Sequence, residues 1–407
     1  MKISLPKNIA NIIAIINNNG YRAHIVGGCV RDILLNKIPV DWDITTDVSP
    51  QIIKSLFPKT IDTGIKHGTV TVLQDGIPVE VTTWRQETGY SDHRHPDSIS
   101  LANSLKDDLS RRDFTMNAIA YHPSEGFIDP FNGLSDINNR IIRCVGKPSE
   151  RFSEDALRML RAIRFSAQLN FDIDNDTFAA IKEHASDIVH ISKERIQAEI
   201  NKILDANAPQ KISLLWQSGL SKVIFPQIDS IPDIWFDLIK PLIGSKDQKD
   251  LFLSLLFYLA CENNAVSCAE DYLISNKYDK KTRRSVKHHI KCLKDIGPLS
   301  RRNIRKAAAE FGTNVALNTL KVLSIMHRFN KNNPFAPQYS DSDVMPVTPA
   351  ISGFDLMDLG LDGRAIRDML DILRLCLYEN PYLNHKDILI DIAKEILTSN
   401  QLFYITE

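Results

Sequence analysis

A glycine pair, Gly27-Gly28, stands between the apolar segment His24–Val26 and a short helical pattern, and Asp41-Trp-Asp43 follows it. Glycines at such a junction let backbone amides approach an anion, and a helix N-terminus adds unpaired N–H groups and the positive end of its dipole. Val40–Thr45 reads as a strand, in which alternate side chains share a face, so the spacing predicts Asp41 and Asp43 side by side. Two like charges at that separation repel unless a cation lies between them, and hard divalent ions take carboxylate and phosphate oxygens. A solvated strand end after a glycine turn would need none of this chemistry, so the remaining motifs must decide.

Length and pattern point to an α+β chain of two to four units, because 407 residues exceed one typical domain. Residues 7–19 carry amphipathic helix spacing, and Pro50–Phe57 reads as a second helix. Two β-rich stretches, His67–Gln74 and Ile77–Trp84, flank Asp75-Gly76, a strong hairpin signal. On the second, Pro78, Glu80 and Thr82 share the face opposite Val79 and Val81, which makes Glu80 a candidate third carboxylate. Residues 85–110 read as a loop leading into a helix from about Ser110. From Pro148 onward helix follows helix, with apolar spacing such as Ile196, Ile200, Ile203 and Leu204, and with breaks near 207–209, 243–249, 297–300 and 332–349.

The formal net charge of −1 means that a polyanionic partner must be met by a local basic face. Six cysteines without a C-x-x-C pair argue against zinc and for reduced thiols. The N-terminus lacks a secretion pattern and no apolar run reaches membrane-spanning length, so the chain reads as soluble and cytoplasmic, with no membrane partner.

Chemistry sharpens the choice. Asp41 and Asp43 are the expected metal ligands, and the reaction they suit is nucleotidyl transfer, with Mg²⁺ activating an attacking hydroxyl and neutralising a leaving pyrophosphate. Arg31, in the first turn after Gly28, can fork onto a phosphate. In Ser110–Ala120, Phe114, Met116 and Ala118 are expected to pack inward while Arg112, Asp113 and Asn117 face a cleft. In Arg151–Phe165, Ser153 reads as an N-cap with Glu154 and Asp155 in the first helical turn. On one helix Asp155 and Arg158 lie roughly 60° apart and Arg164 nearly opposite. An aspartate–arginine pair so placed can accept from the amino group of cytosine or adenine and donate to the neighbouring acceptors, which excludes uracil and guanine.

The three clusters, GGCVRD with DWD, RRDFTMNA and EDALRMLRAIRF, come in one order over residues 20–205 and resemble the signature motifs of the class II tRNA nucleotidyltransferase and bacterial poly(A) polymerase family, within the polymerase β superfamily. The resemblance implies that Gly27, Gly28 and Arg31 meet an incoming CTP or ATP and that Asp41 and Asp43 bind Mg²⁺. It further implies that Arg112 meets the sugar or phosphate, that Asp155 with Arg158 reads the base, and that Arg161 and Arg164 contact the nucleotide. The implied architecture is a mixed-sheet nucleotidyltransferase head (1–140) followed by an all-helical neck (141–206), body (207–300) and tail (301–407). The implied reaction is CCA addition to the 3′ end of tRNA.

Weaker features extend this. Ile351–Leu361 with Gly363-Arg-Ala-Ile resembles the family's tail segment, which grips the tRNA elbow in relatives, and Lys280-Lys-Thr-Arg-Arg and Arg301-Arg-Asn-Ile-Arg-Lys are basic patches suited to a phosphodiester track. The loop at 85–104, with Tyr90, Asp92, Arg94 and Pro96, is long enough to act as a lever, and the resemblance implies terminal A addition, since a shortened loop accompanies members that stop after CC. A-adding enzymes and poly(A) polymerases share the same motifs. A small-molecule nucleotidyltransferase would not need the long helical remainder, and a non-catalytic RNA-binding protein would have no use for Asp41 and Asp43.

Overall fold

The computed structural model describes residues 3–89, 98–297, 300–329, 345 and 347–399, and the contacts divide the chain into two compact units, Met1–Asp229 and Ser230–Glu407. In the first unit the chain runs α1 (Lys7–Asn18), β1 (Ala23–Val26), α2 (Gly28–Leu34), β2 (Asp43–Thr46), α3 (Pro50–Leu56), β3 (Thr60–Gly64), β4 (Thr69–Gln74) and β5 (Ile77–Thr83). It continues through a two-stranded ladder, β6 (Arg85–Thr88) and β7 (Ser98–Leu101), then α4 (Leu105–Ser110), β8 (Ala120–His122), β9 (Gly126–Ile128), α5 (Gly133–Asn138) and β10 (Ile141–Ile142). The helical part follows: α6 (Pro148–Glu154), α7 (Leu157–Leu169), the short β11 (Asp172–Ile173), α8 (Asn175–Glu183), α9 (Lys193–Leu204), α10 (Leu214–Ser218) and α11 (Ser221–Ile224).

Seven strands among the described residues form one mixed sheet in the order β3-β4-β5-β2-β1-β8-β9. Within this sheet only β2 and β5 pair in parallel, with Asp43 opposite Glu80, while β10 and β11 form a separate short parallel ladder inside the stretch expected to be all helix. The expected hairpin between β4 and β5 is present, with φ of 53° at Asp75 and 78° at Gly76, the positive angles that a two-residue turn demands. Glu80 is exposed between buried Val79 and Val81, as alternation requires. The lever residues Tyr90, Asp92, Arg94 and Pro96 lie outside the described residues.

Three local expectations are corrected. The first is that Asp41 lies on the strand. β2 begins only at Asp43, because the register would set Asp41 opposite Pro78, which has no N–H to donate. The second is a helix from Ser110. Instead α4 ends there, and RRDFTMNA is a tight turn with one 3₁₀ turn at Thr115–Asn117. Phe114, Met116 and Ala118 are nonetheless fully buried, so the inward residues were rightly identified on the wrong element. The third is Ser153 as an N-cap. Pro148 starts a helix earlier, Ser153 donates to the Ser149 carbonyl inside it, and the chain breaks at Asp155, whose φ of −145° and ψ of 101° are extended.

That turn is held from behind by backbone. A Cβ on Gly133 would stand 2.2 Å from the Thr115 carbonyl oxygen and 2.7 Å from its carbon, so no side chain fits. Asp129 accepts from the amides of Gly133 (2.7 Å) and Leu134 (2.8 Å), and Asp136 accepts from the Thr115 hydroxyl (2.7 Å), which fixes α5 against the turn. Facing it, Phe114 packs edge-on to Phe165 of α7 at 5.8 Å between ring centres.

The second unit is helical: α12 (Asp233–Ile239), α13 (Gln248–Ala260), α14 (Ala265–Ser275), α15 (Lys280–Asp295), α16 (Arg301–Phe311), α17 (Thr313–Phe329), α18 (Gly353–Met357), α19 (Gly363–Glu379) and α20 (Lys386–Thr398). Met369, Leu373 and Leu377 of α19 bury against Leu356, Leu389 and Ala393 to form a small core. The basic run 301–306 is partly internal: Arg305 is buried and donates to the Tyr378 carbonyl at 2.9 Å, closing the last turn of α19. No helix among the described residues is long and apolar enough to cross a membrane, and all six cysteines are free thiols.

Gly133→Ala should lower stability by roughly 1–3 kcal/mol, the cost of overpacking against backbone that cannot move aside. Urea melts of the two proteins measure the difference.

Candidate active site

The turn after β1 positions the first cluster. Gly27 has a φ of 79°, which only glycine adopts freely, and a Cβ there would meet Arg112 Nη1 at 2.9 Å. Arg31 on α2 donates from Nη1 to Asn117 Oδ1 at 2.7 Å, and Asn117 Nδ2 donates to Asp113 Oδ1 at 3.0 Å. The other Asp113 oxygen accepts from Arg161 Nε (2.8 Å) and Nη2 (2.6 Å) on α7. One buried carboxylate thereby joins the glycine helix, the RRDFTMNA turn and the long helix α7. Burial opposes ionisation of Asp113, but Arg161 and the Asn117 hydrogen bond overcome it and hold the carboxyl down to about 2.

These elements line an open cavity of about 580 Å³. Of the residues singled out in the sequence, Gly27, Gly28, Arg31 and Asp43 line one part of it. Arg112, Asp155, Arg158, Arg161 and Arg164 line the rest. Arg164 is a correction: counting turns from Asp155 on one helix sets it on the far side, but Asp155 is off the helix and α7 alone turns Arg158, Arg161 and Arg164 toward the space. Burial and the neighbouring Arg161 push the Arg164 guanidinium down to about 10. Its Cζ lies 4.0 Å from the centre of the Phe165 ring, which Arg31 (5.1 Å) and Arg161 (5.5 Å) also approach.

Asp155 and Arg158 are adjacent in the cavity but not paired with one another. Asp155 accepts from Arg195 Nη2 at 2.9 Å and from the Leu157 amide at 3.1 Å. Arg158 pairs with Glu154 and donates to the carbonyls of Arg151 (3.0 Å) and Arg111 (3.2 Å). Arg195, Arg111, Phe165 and Gln168 also line the cavity and were missed. Arg195 sits on α9, forty residues from its partner, and no local spacing in the sequence links the two. Asp113 and Asn117, expected to face a cleft, line the cavity, where Asp113 orders Arg161 and Asn117 orders Arg31.

Asp41 and Glu80 do not line the cavity, but both stand close enough to act on Asp43. Burial raises the Asp43 carboxyl above its usual range, Arg112 opposes this, and the charges of Glu80 and Asp41 add to the rise. Its carboxylate accepts no hydrogen bond among the described residues. An oxygen-only set of mutually repelling carboxylates at the cavity edge fits a hard divalent cation. Among the described residues no three His, Cys, Asp or Glu side chains are gathered tightly enough to hold a metal without help from a ligand.

Comparisons agree with this arrangement. Residues 23–143 match the poly A polymerase head domain, and 170–231 match the probable RNA and SrmB-binding site of polymerase A. A CCA-adding enzyme from Geobacillus sp. (strain WCH70) is 38% identical over 396 residues, covering 92% of this chain and 93% of that one. The chain belongs to the CCA-adding enzyme family. Another member, from Levilactobacillus brevis, is 50% identical over 200 residues, about half of each chain (49% and 50%). Among solved structures, the Bacillus stearothermophilus CCA-adding enzyme in complex with CTP superposes with a TM-score of 0.72 at 29% identity, covering 97% of this chain and 98% of that one. The Thermotoga maritima enzyme complexed with tRNA, at 20% identity and a TM-score of 0.69 over 97% and 96% of the two chains, shares the fold.

Because the Asp113 carboxyl is depressed, its stabilising link to Arg161 is complete above about pH 4 and is lost as pH falls toward 2. Asp113→Asn should therefore cost roughly 2 kcal/mol at neutral pH and flatten the acid limb of stability between these values. Urea melts as a function of pH test both.

Proposed function

We propose that this chain adds CMP and then AMP, from CTP and ATP, to the 3′ end of tRNA lacking its CCA terminus, without a template. The observation that carries this reading is the cavity itself, where seven arginines and three aspartates meet beside a glycine turn. The forked guanidinium groups suit a triphosphate, and the Asp155 carboxylate among them suits the amino edge of a base. The Geobacillus relative, matched over nearly its whole length, is named for the same activity.

In this reading Gly27 and Gly28 let the phosphates approach the backbone while Arg31 and Arg112 neutralise them. Arg161, steadied by Asp113, and Arg164, lying over Phe165, flank the nucleotide. Asp155, steadied by Arg195, accepts from the exocyclic amino group that cytosine and adenine share, with Arg158 beside it. Asp41 and Asp43, with Glu80 next to them, would hold Mg²⁺, the divalent ion we assign to a superfamily that generally depends on one. Held there, such an ion would supply Lewis-acid stabilisation of the attacking 3′ hydroxyl and of the charge on the pyrophosphate. We further assign residues 1–140 to a head, 141–206 to a neck, 207–300 to a body and 301–407 to a tail, with the body and tail receiving the tRNA, and the site of action to the cytoplasm.

Purified protein with Mg²⁺ and tRNA lacking its 3′ CCA should incorporate labelled CTP and ATP but neither UTP nor GTP. Labelling by ATP alone, or long runs of A on arbitrary RNA, would replace CCA addition by the A-adding or poly(A) activity. Asp41→Ala and Asp43→Ala should abolish transfer, whereas Asp155→Ala should admit UTP and GTP. Equal loss of rate with unchanged selectivity in all three would refute this division of roles.

A further inference from the structure

Asp108 is a charged residue with no exposure, and nothing above gives it a task. It sits on α4, and its two oxygens serve three elements. Oδ1 accepts from Arg111 Nε (3.0 Å) and Nη2 (2.8 Å) and from the Arg85 amide at the root of the β6–β7 ladder (3.4 Å). Oδ2 accepts from the Thr45 hydroxyl on β2 at 3.0 Å and stands 3.6 Å from Arg112 Nη2. A buried carboxylate costs several kcal/mol unless it is paired and hydrogen-bonded, and this one is held ionised by two arginines against that penalty.

Arg112 is the informative partner. Its Nε is buried without an acceptor, and among the described residues the long contact to Asp108 is its nearest carboxylate pairing. The same guanidinium lies across Gly27 from Asp43: the Cβ position of that glycine is 2.9 Å from Arg112 Nη1 and 3.8 Å from Asp43 Oδ2. Arg112 is therefore poised between two carboxylates, one inside the fold and one at the acidic edge. A guanidinium that settled on Asp43 would occupy the oxygens a divalent cation needs.

We propose that Asp108 is a positioning residue that holds Arg112 away from Asp43, keeping the acidic edge open to a divalent cation while leaving the arginine directed into the cavity. The anchor is twofold: charge draws Arg112 back, and the Thr45 hydrogen bond fixes the carboxylate to the very strand that begins with Asp43. The inference rests on the reading of Asp43 as a metal ligand, and the test separates the two.

Mn²⁺ alone, titrated into the full chain and followed by the paramagnetic resonance of the free ion, reports occupancy without turnover. Asp108→Asn should raise the Mn²⁺ dissociation constant about tenfold, as expected when a cation competes for a carboxylate. The half-saturating Mg²⁺ concentration for CMP transfer should rise in parallel, with KM for tRNA unchanged. Adding Arg112→Gln to Asp108→Asn should restore Mn²⁺ binding, a coupling that a merely structural role for Asp108 does not produce. Thr45→Val, which keeps both charges, should shift binding in the same direction by a smaller factor and serves where Asp108→Asn fails to fold. Unchanged Mn²⁺ binding in Asp108→Asn, or failure of the double variant to recover, overturns the proposal. Mn²⁺ binding that survives Asp43→Ala overturns the metal reading beneath it instead.

Discussion

Asp113 is the interaction on which the site depends. It is a buried carboxylate whose two oxygens point in different directions, one toward Asn117 and through it Arg31, the other toward Arg161. Three stretches of sequence far apart in the chain are thereby held at fixed distances around one space. Removing the charge would leave Arg161 in the cavity without its partner and Asn117 without its acceptor, so the loss would be felt on both walls together. The backbone contact of Gly133 with Thr115 supplies the complementary support from the opposite side of the turn.

The crowding of guanidinium groups around Phe165 is electrostatically costly in the protein alone. Arg164 is depressed by burial and by Arg161, and the ring faces beneath the arginines offset only part of the repulsion. Each of these arginines has a carboxylate partner, Arg161 with Asp113 and Arg164 with Glu199, so the pairings temper the repulsion without removing it. At the other edge, burial raises the Asp43 carboxyl and the charges of Glu80 and Asp41 add to the rise against the pull of Arg112.

Much of this was legible in the sequence because the informative residues are local. The glycine turn, the Asp75-Gly76 hairpin and the alternation around Glu80 all follow from short-range rules, and the structure reproduces them. The failures share a cause. Periodicity treated 110–118 and 153–165 as continuous helices, while the chain breaks at Arg111 and again at Asp155 to bring polar groups into one space. The pairings that define the cavity, Asp155 with Arg195, Arg161 with Asp113 and Arg164 with Glu199, join residues tens of positions apart and leave no mark in local spacing. Arg305 shows the converse: a basic run that looks like a nucleic-acid surface contains one member consumed in closing a helix.

The break at Asp155 has a mechanical corollary. A carboxylate borne on α7 could be re-aimed only by turning the whole rod, whose Met159, Leu160, Ala162 and Ile163 are sealed in the core. Seated on a single extended residue between two helices and held by one arginine and one amide, the carboxylate is aimed by the torsions of one position and not by the orientation of the rod. Under the role proposed for Asp155, a change of base would ask for an adjustment at that one joint and not of the packed helix beside it.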